Sequence, residues 1–143
     1  MFIDNNDIIE VKIYYKQDKF RFLALTESEI EKRVRDKKLT NSQVETEFAL
    51  LNVNMTALNW GSYNRFQDLA TLTNEKGERY FDYKTYKEQR LQNLLKSWSA
   101  KDKDGNDVPV SPKSIMQLAP TIGDAIVRGF DEASYYDEET EKK

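Results

Sequence analysis

Alternation of apolar and polar side chains near the start is the feature that most constrains this chain. Ile9, Val11, Ile13 and Tyr15 alternate with Glu10, Lys12 and Tyr14, and a period of two puts every second side chain on one face of a strand. After the polar link Lys16-Gln17-Asp18-Lys19, the residues Phe20, Phe22 and Ala24 alternate with Arg21 and Leu23. Two such runs around a short link predict a β-hairpin.

Helical signals follow. Thr26-Glu27-Ser28-Glu29 fits a capping box, opening a short surface helix to about Lys38 with Ile30 and Val34 on its inner side. Residues 42–52 satisfy two patterns: Val44, Thr46, Phe48 and Leu50 fit a strand, while Val44, Phe48 and Leu51 fit a helix. Strand is the reading adopted. Asn59 caps a helix with Tyr63, Phe66, Leu69 and Ala70 on one side, and Asn74-Glu75-Lys76-Gly77-Glu78 is read as the loop that ends it. Asp82 caps the next helix, expected to run to about Ser99 with Leu91, Leu94, Leu95 and Trp98 as its apolar seam. Ser111-Pro112 opens a brief helix, and Pro120 begins another whose inner face is Ile122, Ala125, Ile126, Phe130 and Ala133.

These elements predict an α+β fold, a small N-terminal antiparallel β-sheet packed against a C-terminal bundle of three to four helices. With 143 residues the expectation is one domain over 1–136, β-rich to residue 55 and helical from 56, then a charged acidic tail over 137–143. Aromatic residues make up 12% of the chain, a share that favours an ordered body.

Composition narrows the chemistry. The chain has no cysteine and no histidine, so thiolate and imidazole metal sites and Ser-His or Cys-His nucleophile pairs are excluded. Asp102-Lys103-Asp104-Gly105-Asn106-Asp107 suggests a calcium loop, but the sixth position is Asp107 and the twelfth Lys113, where an EF-hand needs glycine and glutamate. The five glycines are dispersed and build no phosphate-binding motif. The reading is a protein that is not an enzyme and needs no cofactor or metal.

Net charge is −3, of which residues 131–143 carry −4, so −3 less −4 leaves the body at +1. A body so nearly neutral argues against a nucleic-acid partner. Lysines and Arg90 among Tyr83, Tyr86 and Trp98 are therefore read as cations at the rim of an aromatic core. No apolar run reaches the ~20 residues that span a bilayer, and the start has no signal-peptide pattern, so no membrane is expected and the cytoplasm is the expected location. On a helical wheel Lys84 and Lys87 align with Leu91, Leu95 and Trp98. They either overhang the core or meet an acidic surface, for which the tail of a second copy, in a homo-oligomer, is one candidate.

The second half carries a longer pattern. Leu58, Trp60 and Gly61 lead into a helix ending at Ala70-Thr71, followed by the Gly77 turn, Phe81-Asp82 before Tyr86, and the Leu91-Leu94-Leu95 helix ending at Trp98. Asp104-Gly105-Asn106, Val108-Pro109-Val110-Ser111, Ile115, Leu118, Pro120 and Ile122 complete it. This layout resembles the tail assembly chaperones of long-tailed bacteriophages, over roughly residues 44–135. The resemblance implies a protein of the host bacterial cytoplasm that binds the tape measure protein, keeps it soluble and helps tube subunits polymerise around it. The alternative is a minor structural component of the neck, baseplate or tail, retained in the virion. The candidate protein-interaction residues are Tyr83, Lys84, Lys87, Tyr135 and Tyr136, with Tyr14 and Tyr80 as further exposed aromatics.

Overall fold

The computed structural model describes residues 1–135. The predicted hairpin forms β1 (Ile8–Asp18) and β2 (Arg21–Thr26). Its turn is Lys19-Phe20, a few residues later than the polar link suggests. Lys19 adopts φ 57° there, and Arg21 pairs with Asp18 across the turn. The capping box at Thr26 opens α1 (Glu27–Arg35), with the Glu29 amide donating to Thr26 Oγ1 and the Thr26 amide to Glu29 Oε1.

Residues 42–52 depart from the strand reading. A second capping box, Thr40 with Gln43, starts α2 (Asn41–Glu47), and only from Ala49 does the chain extend as β3 (Ala49–Thr56). Asn59 caps α3 (Trp60–Ala70) as expected. The segment read as a loop is the tip of a small hairpin, β4 (Thr71–Thr73) with β5 (Arg79–Phe81), turned at Gly77 with φ 78°.

Asp82 caps α4 (Tyr83–Leu94). This helix stops short of its predicted end near Ser99. Leu95–Trp98 is extended as β6 and pairs antiparallel with β3, Val53 opposite Trp98 and Met55 opposite Leu95, across a register shift at Asn54/Met55. The open edge of β3 wins over the apolar spacing of the leucines: Leu95, Ser97 and Trp98 find ladder partners there, and the β3 edge groups are paired in turn. After a polar loop come α5 (Pro112–Met116) and α6 (Pro120–Ser134).

The main sheet has the order β2-β1-β3-β6, all antiparallel, so the α+β expectation holds, with the fourth strand drawn from the helical half. The pleat sorts its side chains. Val11, Ile13, Ala24, Leu51, Val53, Met55 and Leu95 form the inner face, and Phe66, Leu91, Leu94, Ile126 and Phe130 complete the core. Fully burying one such side chain contributes ~1.5–3 kcal/mol. α6 lies along β1 and β2, and its Thr121 and Arg128 donate to the β2 carbonyls of Phe22 and Ala24 at 2.7 and 3.4 Å. No helix of the described residues is long and apolar enough to cross a membrane.

Candidate functional site

The β4–β5 hairpin and the first turn of α4 carry an exposed aromatic surface. Asn74 Oδ1 accepts from the Lys76 and Glu78 amides and so fixes the hairpin tip. The short strands then present Tyr80 and Phe81, 46% and 48% exposed. The Asp82 amide donates to Ala70 O at 2.7 Å, which ties the hairpin to the end of α3, and the Asp82 carboxylate accepts the Thr85 amide. Tyr83 is thereby fixed at the first helical position. It stays 53% exposed with its ring stacked on buried Tyr86, centroids 5.6 Å apart, and Phe81 meets the same ring at 5.5 Å.

The lysines of α4 are edge residues. The buried stripe of this helix is Tyr86, Arg90, Leu91 and Leu94, a different phase from the Leu91-Leu95-Trp98 alignment, because Leu95 and Trp98 belong to a strand. Lys87 reaches Asp124 of α6 at 2.9 Å and lies 5.2 Å from the centroid of Tyr83. Lys84 is largely exposed and faces Glu88 at 4.0 Å. Beyond Lys87 a hollow of about 190 Å³ opens between α4, α5 and α6, lined by Leu91, Ile115, Met116 and Leu118 among others. Met116 is 61% exposed at its rim. Tyr83 and Lys87 thus share one continuous aromatic and aliphatic surface.

Tyr135 belongs to a neighbouring cluster. Its ring meets Tyr63 of α3 edge-on at 6.3 Å, and its amide donates to Asp131 O. Asp131 accepts two contacts from the Tyr86 hydroxyl, at 2.9 and 2.8 Å, so Tyr135 and Tyr83 are linked through Tyr86 and the last turns of α6. Tyr136 lies outside the described residues.

Behind Tyr86 sits a residue that the sequence reading left at the rim. Arg90 has no solvent exposure. Its guanidinium carbon lies 4.2 Å from the Tyr86 ring centroid and 5.3 Å from that of Phe66. Among the described residues, Nε, Nη1 and Nη2 all lack a hydrogen-bond partner. Contact with a desolvated ring is worth ~2 kcal/mol, whereas burying an ion costs several kcal/mol, and each unmade hydrogen bond adds to that cost. The rings therefore leave its donors without well-formed hydrogen bonds, while Asp131 answers part of its charge. The signal for Arg90 was its place at i+4 from Tyr86 and i−4 from Leu94, squarely on the buried stripe.

The surrounding groups respond to this environment. Burial raises the Asp131 carboxyl above the usual carboxylate range, against the hydrogen bond from Tyr86 and the charge of Arg90. Burial, the hydrogen bond to Asp131 and its charge push the Tyr86 hydroxyl far above the ordinary phenol range. Tyr135 is raised by burial, opposed by the charge of Arg90 and a side-chain contact with it, and reinforced by Asp131.

Among the described residues no group of three or more Asp or Glu side chains is arranged to hold a metal ion. No protein-family model, curated protein or solved structure matches this chain. The arrangement offers stacked aromatic faces, an adjacent aliphatic hollow and cations at its border, which is the chemistry of adhesion to an amphipathic surface.

Proposed function

We propose that this protein is a non-catalytic assembly factor that binds other proteins, and that its partners are tail proteins of a long-tailed bacteriophage, the tape measure or tube protein. The observation that carries the binding role is the exposed surface of Tyr80, Phe81 and Tyr83 running past Lys87 into the Leu91-Met116-Leu118 hollow. Large, rigid aromatic side chains beside a small hollow suit capture of an amphipathic helix. The helix sets one apolar side chain in the hollow and lays its stripe on the rings. Met116 adds a polarizable side chain that adapts to different partners. The lack of histidine and cysteine supports a role without chemistry. The choice of tail proteins rests on the sequence resemblance, and it carries host cytoplasm as the working location.

Co-expression tests the reading. Tape measure protein made alone should aggregate, and with this chain it should stay soluble and co-purify. A double substitution of Phe81 and Tyr83 to alanine should weaken binding by about tenfold or more, the size of losing one central aromatic contact, while the folded signal is kept. Failure of the tape measure and tube proteins to bind would remove the proposed partners. Full binding by the double variant would remove the proposed surface. Recovery of the chain in purified virions at a fixed copy number would favour a structural component of the particle.

A further inference from the structure

Arg90 stands in the seam of α3, α4 and α6 as a fully buried cation whose three nitrogens make no well-formed hydrogen bond among the described residues, although the Tyr135 side chain lies close to them. Aromatic rings give a cation charge density but no directed lone pair. Asp131 lies close enough to feel the charge, yet it accepts its hydrogen bonds from Tyr86. Neighbouring positions on the same stripe are apolar, Leu91 and Leu94, and an apolar residue at 90 would pack there without a desolvated charge. An unmatched fork of buried N–H donors is a place where an acceptor can bind.

We infer that Arg90 is a receptor for a carboxylate, which enters at the side of the cluster where Tyr135 stands. Tyr135 is the most open of the side chains around Arg90, 46% exposed against 7% for Tyr86 and 1% for Phe66, so its ring is the one that can swing aside. A guanidinium presents a fork of parallel N–H donors that a carboxylate accepts in bidentate fashion. A carboxylate fits better than a phosphate. One guanidinium supplies one positive charge and the Asp131 carboxyl already lies in the seam, so a single added negative charge is tolerated better there than two. The carboxylate is carried either by a small free acid or by an acidic side chain of a protein. The inference stands apart from the proposed tail partners and survives their failure.

Thermal unfolding of the full chain tests it, in sodium acetate against sodium chloride at equal ionic strength and pH. N-acetylglutamate amide and inorganic phosphate serve as further probes. Acetate should raise the wild-type midpoint beyond the chloride value, by roughly 3–5 °C at ten times its dissociation constant, and Arg90→Met should fold and lose that response. Should Arg90→Met fail to fold, Arg90→Lys takes its place. It keeps the charge without the fork, and its response should be smaller than that of the wild type. A response to N-acetylglutamate amide at lower concentration than acetate assigns the carboxylate to an acidic side chain, and the reverse order assigns it to a small acid. An acetate response no larger than that to chloride, one that persists in full in the Arg90 variant, or a response to phosphate alone overturns the inference.

Discussion

Gly129 of α6 and Val11 of β1 approach so closely that a Cβ on the glycine would lie 2.6 Å from Val11 Cγ1, with Ile13 Cδ1 at 3.4 Å. The helix rests directly on the sheet there, and both sheet residues are buried. Gly129→Ala gains ~0.5–1 kcal/mol of helix propensity but forces a methyl group into packed side chains, which costs ~1–3 kcal/mol. The clash wins. Urea unfolding should show a net loss of ~1–2 kcal/mol. Gly123→Ala is the control: nothing lies within 4 Å of its added Cβ, so it should leave stability unchanged or raise it by up to ~1 kcal/mol. Equal effects at the two positions would contradict the close approach.

Glu29 joins α1 to α6. Burial raises its carboxyl, but the Thr26 amide and the Arg128 guanidinium, 3.1 Å away, outweigh that and hold it below the usual glutamate range. A lowered folded pKa means the contribution is complete above the unfolded value and is lost as pH falls through the folded one. Glutamine at this position can still accept from Thr26, so Glu29→Gln isolates the charge. Both partners are about one-third exposed, which limits the pair to ~0.5 kcal/mol. Wild type should exceed Glu29→Gln by that amount at pH 7, and the two should converge by pH 3 in urea titrations.

Local signals were legible where the local interaction decides the outcome. Thr26, Asn59, Asp82 and Ser111 each cap the helix their spacing announces. The hairpin alternation likewise sorts β1 and β2 correctly. Thr40 and Gln43 formed an equally clear capping box, but the Val44-Thr46-Phe48-Leu50 alternation concealed it. β6 was illegible for a different reason. Leu91, Leu94, Leu95 and Trp98 keep helical spacing, and only the free edge of β3, more than forty residues earlier in the chain, makes the last four residues a strand. Tyr83 and Lys87 do meet on one surface, as side chains one helical turn apart must. Arg90 was hidden because a charge beside lysines reads as rim, whereas its burial depends on Phe66 and Asp131 from two other helices.

Trp98 shows what holds β6 to the loop that follows. Its Nε1 donates to Val108 O at 2.6 Å, and Ser99 and Asn52 exchange contacts at 3.0 and 2.9 Å at the start of the loop. Trp98→Phe keeps most of the apolar contact and removes the donor. The expected cost is ~1 kcal/mol. Limited proteolysis should cut residues 99–110 faster in the variant, and an unchanged rate would mean the indole bond does not secure the loop.

Tyr86 gives the last test, at the alkaline end. Its hydroxyl donates to Asp131 and is pushed far above the phenol range by burial and by that carboxylate. A raised folded pKa contributes stability that is present below the unfolded tyrosine value, ~10, and declines as pH rises beyond it. Tyr86→Phe removes a hydrogen bond to a partly buried carboxylate and should cost ~1–2 kcal/mol at pH 7. Above pH ~10 the unfolded wild type loses a proton that the folded wild type keeps, so wild-type stability falls by up to ~1.4 kcal/mol per pH unit from this group alone. Phenylalanine has no such term. The wild-type advantage should therefore shrink from pH 9 to pH 11 in paired urea titrations. Tyrosinate absorbance of the folded protein should show no additional ionising group in wild type over that interval. A constant advantage, or an extra tyrosine titrating near pH 10 in the folded wild type, would place the Tyr86 hydroxyl in solvent and dissolve the link between α4 and α6.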